Sequence, residues 1–422
     1  MHTIFFAEWT MAASENTSLL EPSVQECPWD LYKSLRDEQP VYKDPKLGCF
    51  ILSRYDDVLQ ALRMPDKFSS KMGFRPGKAP PEAVRIYNEE GFGEQLNTLV
   101  SNDPPSHTRY RVLVDKAFTP SRARKMEPYI DSIAHSLIDS FIEQGHVDMH
   151  ARFSVMLPLT VIADQLGVSR DDLAKFKEWS DASVAPLGLM ISDEEQVVVA
   201  KKLVEMQHYF VARCEERRTS PKDDMLTDLV QARVEGERPL DTKELLSIIG
   251  QLLVAGNETT TSAISAGVML LIKNPDQAAL LRDNPASYEN LAEEVLRIDS
   301  PVQGLFRMTT EDVEIGGQVI PKGAIVNLRY GAANRDERRF DKPDRFDACR
   351  KGAGAHLAFG AGIHHCIGAQ LARREIIVGL RALNERLDDL RLAVSEESLR
   401  HFPSVILRGY TTLPVSFKKH DA

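Results

Sequence analysis

The stretch Phe359-Gly360-Ala361-Gly362-Ile363-His364-His365-Cys366-Ile367-Gly368 delivers one cysteine, on a glycine-spaced loop, to a strongly amphipathic helical pattern from Ile367 to Leu387. A thiolate there is stabilised by the helix dipole and by first-turn amide groups that lack a partner. Gly360 and Gly362 permit tight turns and the close approach of a flat ligand, and Gly368 leaves room beside the sulfur. An isolated cysteine beside a Gly-rich turn is more often a small buried apolar residue. The combined spacing points instead to a ligand site. Zinc held by His364, His365 and Cys366 is an alternative, but adjacent side chains point apart and no fourth ligand is suitably spaced.

Upstream, Asp241-Thr242-Lys243-Glu244 reads as a capping box with Asp as N-cap, and the helical pattern then runs to Lys273, where Asn274-Pro275 stops it. About 30 residues at roughly 1.5 Å each span about 45 Å, the width of a domain. Apolar through Val254, this helix abruptly carries Ala255-Gly256-Asn257-Glu258-Thr259-Thr260-Thr261 before turning apolar again. Glycine weakens a helix interior and threonine hydroxyls bond back to carbonyls, so a bulge opening a polar groove is expected here.

The rest of the chain sets the frame. Its 422 residues are 43% hydrophobic and 27% charged, with 24 Gly and 23 Pro, which excludes disordered and collagen-like classes and allows a sizeable core. Asp plus Glu (62) outnumber Lys plus Arg (52), so the formal charge of -10 argues against nucleic acid as the main partner. No apolar run approaches the ~20 residues of a membrane span. Five cysteines without a CxxC pair are too sparse for a disulfide framework and suit a reducing cytoplasm. Residues 1–27 are polar with little periodicity and read as a loosely held arm, with Met11 an alternative start; 28–422 read as one large domain without repeats or linkers. A helix is expected over Pro28–Asp37, a hairpin over Val41–Ser53, and an irregular functional loop over Lys71–Pro105. Helices dominate from Ser106 to Val234 and return at Ser287–Asp299. Strands are expected at 313–320, 324–328, 390–394 and 411–417, so the fold class is mainly α with minor β.

On these residues the chain resembles the cytochrome P-450 family of haem-thiolate monooxygenases over nearly its whole length. Phe359, Gly360, Gly362, His364, Cys366 and Gly368 stand at the positions of the family's haem loop. The resemblance implies a haem b cofactor with Cys366 as its axial ligand. It implies a buried triad of Glu294, Arg297 and Arg345, from Glu294-Val295-Leu296-Arg297 and Pro343-Asp344-Arg345-Phe346. It implies haem propionates held by His107, Arg111, Arg307 and His364. The polar interruption matches the family's acid and alcohol pair, with Ala255 and Gly256 followed by Glu258, in place of the commoner Asp, and Thr259.

The implied activity is oxidation of a small or medium hydrophobic compound by dioxygen. The chain has no room for a flavin or iron–sulfur module, so a separate ferredoxin with its NAD(P)H reductase is the implied electron source. A peroxide-driven hydroxylase, a haem isomerase and a non-catalytic haem sensor are alternatives that have no need of the acid and alcohol. By resemblance the substrate meets the 71–101 loop, residues 186–191, Gln251, Val254, Gln303, Gly304, Leu305, Val405 and Ile406. Arg350, Lys351, Arg373, Arg374, Arg109, Lys116, Arg122, Arg124 and Lys125 form a basic rim expected to receive an acidic ferredoxin.

Overall fold

A computed structural model describes residues 17–71, 79–188 and 191–420. Its first helices are α1 (Pro22–Glu26), α2 (Trp29–Glu38), α3 (Tyr55–Leu62), α4 (Pro81–Glu89), α5 (Ser106–Asp115), α6 (Pro120–Asp139), α7 (Met156–Gln165) and α8 (Leu173–Val184). They are followed by α9 (Asp193–Thr219), α10 (Met225–Gln231), α11 (Thr242–Lys273), α12 (Pro275–Asp283), α13 (Tyr288–Ile298), α14 (Tyr330–Ala333) and α15 (Ala369–Arg386). The strands are β1 (Val41–Lys43), β2 (Phe50–Leu52), β3 (Phe68–Ser69), β4 (His146–Asp148), β5 (Leu305–Thr309), β6 (Val313–Ile315), β7 (Gln318–Ile320), β8 (Ile325–Leu328), β9 (Leu387–Leu392) and β10 (Pro414–Lys419).

Helix α11 is the axis of the fold. Its capping box is formed in both directions: the Glu244 amide donates to Asp241 Oδ1 and the Asp241 amide to Glu244 Oε2, each at 2.9 Å. Helices α7, α8 and α15 pack around it, and one apolar cluster joins Ile264 and Val268 to Leu291 and Val295 of α13 and Ile376 and Leu380 of α15. A Cβ on Gly267 would stand 2.6 Å from Leu380 Cδ1, so this glycine sets how closely α11 and α15 approach.

The largest sheet has the order β1-β2-β8-β5-β3. The β1–β2 hairpin pairs Val41 with Leu52, β2 runs parallel to β8, and Arg307 on β5 lies opposite Val326. Strand β3 covers the β5 edge with Ser69 opposite Met308, which carries Ser70 towards the cysteine loop. A second sheet has the order β4-β10-β9, and β6 pairs with β7 across Gly316 and Gly317, both at positive φ as a two-residue turn of this hand requires.

Two expectations are corrected here. The loose arm does not extend to residue 27. Leu19 and Val24 are buried in a cluster with Tyr42, Ile51 and Phe306, and the Asp44 carboxylate accepts from the Leu19 amide and the Ser18 hydroxyl, both at 2.8 Å. Two apolar anchors and one distant carboxylate are too few to show as periodicity. Residues 1–16, Met11 among them, lie outside the described residues. The 71–105 segment, in turn, contains α4, whose Ala83 and Ile86, three residues apart, pack on Ala200 and Val204 of α9. All five cysteines are unpaired, and among the described residues no helix is long and apolar enough to cross a membrane.

Candidate functional site

The cysteine loop closes on itself. Gly360 and Gly362 adopt φ of +66° and +67°, which L side chains rarely do, and a Cβ on Gly362 would also stand 2.6 Å from the Leu62 carbonyl oxygen. The Cys366 amide donates to the Phe359 carbonyl at 2.9 Å. Open space lies where a Gly368 side chain would be. Burial is the largest influence and leaves the Cys366 thiol raised from its ordinary value, while the Gly368 and Ala369 amides and the Arg111 and Arg373 guanidinium groups pull the other way. The sulfur therefore stands in a half-buried notch lined by backbone amides and faced by two cations. Among the described residues no three His, Cys, Asp or Glu side chains are placed to share a metal ion, so the zinc alternative has no site there.

Beside this loop the donors expected from separate parts of the chain meet. The His107 and His364 rings lie 4.4 Å apart, and both Arg111 and Arg307 act on His364 electrostatically. Burial, reinforced by Arg307, His107 and Arg111, drives the His364 imidazole down to about 3. A convergence of imidazoles and guanidinium groups of this kind is what the two propionates of a haem would complete. Arg111 is placed differently from the expectation: it binds Asp115 through Nε and the His365 carbonyl through a terminal nitrogen, each at 2.8 Å, stitching α5 to the residue before Cys366. Ser70, which sequence reading missed, stands with its hydroxyl 3.0 Å from His364 Nε2, and Asp103 fixes it by accepting from the Ser70 amide at 2.9 Å.

On α11 the expected bulge does not form. The helix continues, and Thr259 donates its hydroxyl to the Ala255 carbonyl at 2.7 Å, leaving Ala255 exposed. Burial raises the Glu258 carboxyl to about 6, against a weaker pull from Lys177. Lys177 is itself paired with Asp181, so Glu258 is not tied up in an ion pair. Thr260, the residue after Thr259, meets a second acid that sequence reading missed: Glu375 on α15, buried and raised to about 8 by that burial. Its signal was a glutamate on the helix face shared with Gly379, Ala382 and Leu383.

The Glu294 and Arg297 side chains are fully buried and joined by two hydrogen bonds of 2.7 and 2.9 Å. Their third partner is Arg350, not Arg345: Arg350 Nε donates to Glu294 Oε1 at 2.9 Å. Phe346 turns into the core and sends its neighbour Arg345 out to solvent, and the only part of Arg345 the assembly uses is its carbonyl, which accepts from Arg350 at 2.6 Å.

Of the residues expected to meet substrate, Val254 and Leu305 pack with Val405 and Ile406 in one apolar cluster. Gln251 is turned to another task. It donates to Thr98 Oγ1 at 2.6 Å and accepts from the Val100 amide at 3.3 Å, tying the 91–101 loop to α11. Gln303 likewise accepts from the Tyr32 hydroxyl and donates to the Ser300 carbonyl, and Gly304 is pressed against Asn327 and Leu328. Residues 72–78, 189 and 190 lie outside the described residues.

The basic rim is thinner than its sequence suggests. Arg350 belongs to the buried triad, Arg109 pairs with Glu244, Arg122 with Asp228, Arg373 with Glu293, and Arg374 with Glu289. Lys116 meets only a backbone carbonyl, and Arg124, Lys125 and Lys351 remain exposed.

Comparison with known proteins covers the same ground. The family model for Cytochrome P450 matches residues 49–286 and 288–388. Cytochrome P450 107B1 of Saccharopolyspora erythraea is 39% identical over 388 residues, covering 91% of this chain and 93% of that one. The 6-deoxyerythronolide B hydroxylase of the same organism is 36% identical over 401 residues, with 91% and 94% covered. The solved structure of cytochrome P450 CYP109Q5 from Chondromyces apiculatus superposes with a TM-score of 0.85 at 36% identity, over 97% of this chain and all of that one. Matched over this length and at these identities, the chain belongs to the cytochrome P450 family, the haem b-dependent monooxygenases among the oxidoreductases.

Proposed function

We propose that Cys366 is the axial thiolate of the haem, that His107, Arg307 and His364 hold its propionates with Arg111 bracing the loop, and that Glu258 and Thr259 manage the protons dioxygen reduction consumes. The amide-lined notch around Cys366 carries this reading. Bound haem supplies the electron transfer and oxygen activation that no side chain offers. The protein's part is to keep the sulfur ionised, to anchor the propionates, and to admit protons one group at a time into an apolar space. A carboxyl near 6 gives and retakes a proton at neutral pH, and a hydroxyl one residue on can orient it. A peroxide-driven hydroxylase, isomerase or sensor has no use for that pair.

Thr259→Ala is expected to bind haem and substrate and to consume NAD(P)H while diverting much of the flux to hydrogen peroxide. Glu258→Gln is expected to slow turnover by about 10²-fold, the lower end of what a positioned acid contributes. Because burial raises Glu258, its protonated form is lost as pH rises through about 6. The wild-type rate should therefore fall above that pH, and Glu258→Gln should lack that limb. Unchanged coupling in both variants would reduce the pair to a structural feature.

The substrate is read as a small or medium hydrophobic compound, on the apolar character of Val254, Leu305, Val405 and Ile406. Screening the ferric protein against terpenoid, aromatic and macrolide compounds, with the spin shift of the Soret band as readout, names the class. Five unpaired cysteines suit a cytoplasmic setting. Electrons are read as coming from an acidic ferredoxin docking on the cations that remain uncompensated, Lys116, Arg124, Lys125 and Lys351. Complementary charge acts mainly on encounter rate, and screening sets in over about 10 Å at 0.1 M salt. Lys125→Glu and Lys116→Glu should lower the ferredoxin-supported rate without changing substrate binding, and added salt should slow the wild type towards them. Salt-independent transfer under limiting donor, with both variants silent, would remove this face as the docking site.

A further inference from the structure

Next to the cysteine loop stands an ionic assembly that neither proton delivery nor the triad uses. Glu293, the neighbour of Glu294 on α13, accepts from Arg373 of α15 through both carboxylate oxygens, the terminal-nitrogen bond measuring 3.0 Å, and lies 3.2 Å from His356 Nε2. Burial pushes the Glu293 carboxyl up, but the close approach of His356 and the bonds from Arg373 outweigh it and hold the group at about 2, so it stays ionised. The guanidinium carbon of Arg373 sits 4.5 Å from the centre of the Phe359 ring, and His356 packs against the same ring at 5.6 Å. Phe359 is the residue whose carbonyl receives the Cys366 amide. A continuous path therefore runs from a fixed anion, through a fixed cation and an aromatic face, to the backbone of the cysteine.

We propose that Arg373 is a positioning residue for the thiolate, held over Phe359 by Glu293 so that its charge and the ring together set the electron density on the Cys366 sulfur. Resting as it does on Cys366 being the ligand, this makes Arg373 a determinant of the holoenzyme's reduction potential rather than a docking charge. The physical basis is a cation on an aromatic face in a partly desolvated place, where a planar, delocalised guanidinium does what a mobile ammonium cannot. Its side chain is about one-fifth exposed, and Glu293 less so, so solvent screening is incomplete.

The test is the midpoint potential of purified holoenzyme, measured without ferredoxin. Removing a cation near the iron favours the ferric form, so Arg373→Gln is expected to shift the potential negative. Arg373→Lys, which keeps the charge but loses the flat stack, should give a smaller negative shift and serves where Arg373→Gln fails to take up haem. Glu293→Gln discriminates by sign. Deleting an anion by itself moves the potential positive, whereas releasing Arg373 from the ring moves it negative, and the negative shift is expected. In the double variant Glu293→Gln should add no further negative shift to that of Arg373→Gln, since no cation is left for it to release. A positive shift for Glu293→Gln, additive shifts, or no shift in Arg373→Gln would overturn the proposal. The carbon monoxide complex is recorded for each protein: a wild type without the thiolate band overturns the assignment of Cys366 itself, and a normal band with unmoved potentials overturns the role of Arg373 alone.

Discussion

Cys366→His, loaded with haem, reduced and placed under carbon monoxide, is expected to lose completely the far-red-shifted Soret band of thiolate ligation that the wild type gives. Monooxygenase turnover should go with it, because electron donation from the sulfur favours cleavage of the O–O bond. The expectation is strong because the other four cysteines are unsuited to the task. Burial pushes Cys49 to about 12 and Cys214 to about 11, so both are inert thiols. Cys27 and Cys349 are exposed, and the Cys349 sulfur meets the Ser287 hydroxyl at 3.5 Å. At Cys366 burial likewise raises the thiol, but there two backbone amides and two guanidinium groups together oppose it. Retention of the band in Cys366→Ala would place the ligand on another cysteine and undo the reading of the whole loop.

That loop was legible in the sequence because its demands are local. Positive φ at Gly360 and Gly362 admits almost nothing but glycine, and the helix that follows is written in a 3.6-residue period. The same holds for α11, whose capping box, length and stop at Asn274 agree to within a residue. What escaped was set by contacts between distant segments. Nothing around Ser70 announces His364, 294 residues away, and nothing in the Gln251 side chain says whether it faces a cavity or a loop 153 residues upstream. The basic rim shows the same limit: Arg350, Arg373 and Arg374 are adjacent to few acids in sequence, yet the fold brings Glu294, Glu293 and Glu289 of the one helix α13 to them. Charge read along a chain overestimates charge presented to a partner wherever a helix of opposite sign packs beside it.

The second large effect separates two arginines five residues apart. Arg350→Ala is expected to lower stability by about 2–4 kcal/mol, and Arg345→Ala to stay within about 0.5 kcal/mol of wild type. Glu294 and Arg297 are fully buried, and the carboxylate's acceptor capacity is filled by Arg297, Arg350 and the Asp347 amide. Arg350 also donates to the carbonyls of Asp341, Lys342 and Arg345, so it pins the irregular segment before the cysteine loop onto α13. Truncating it takes one donor from the buried Glu294 carboxylate and cuts the tie that holds the Asp341, Lys342 and Arg345 carbonyls to it. Arg345 offers the assembly only a backbone oxygen, which alanine keeps. Glu294→Gln should cost about 3–5 kcal/mol, since it leaves a buried guanidinium without its counter-charge. Arg350→Lys should fall between wild type and Arg350→Ala, an ammonium supplying the charge without the planar fork that meets several acceptors at once. Denaturant midpoints followed in parallel by the Soret band and far-ultraviolet circular dichroism measure these differences. In Arg350→Ala the Soret signal should be lost at lower denaturant than the helical signal, because the segment it releases leads directly into the Cys366 loop. A destabilised Arg345→Ala beside a wild-type-like Arg350→Ala would return the triad to the residue its sequence pattern first suggested.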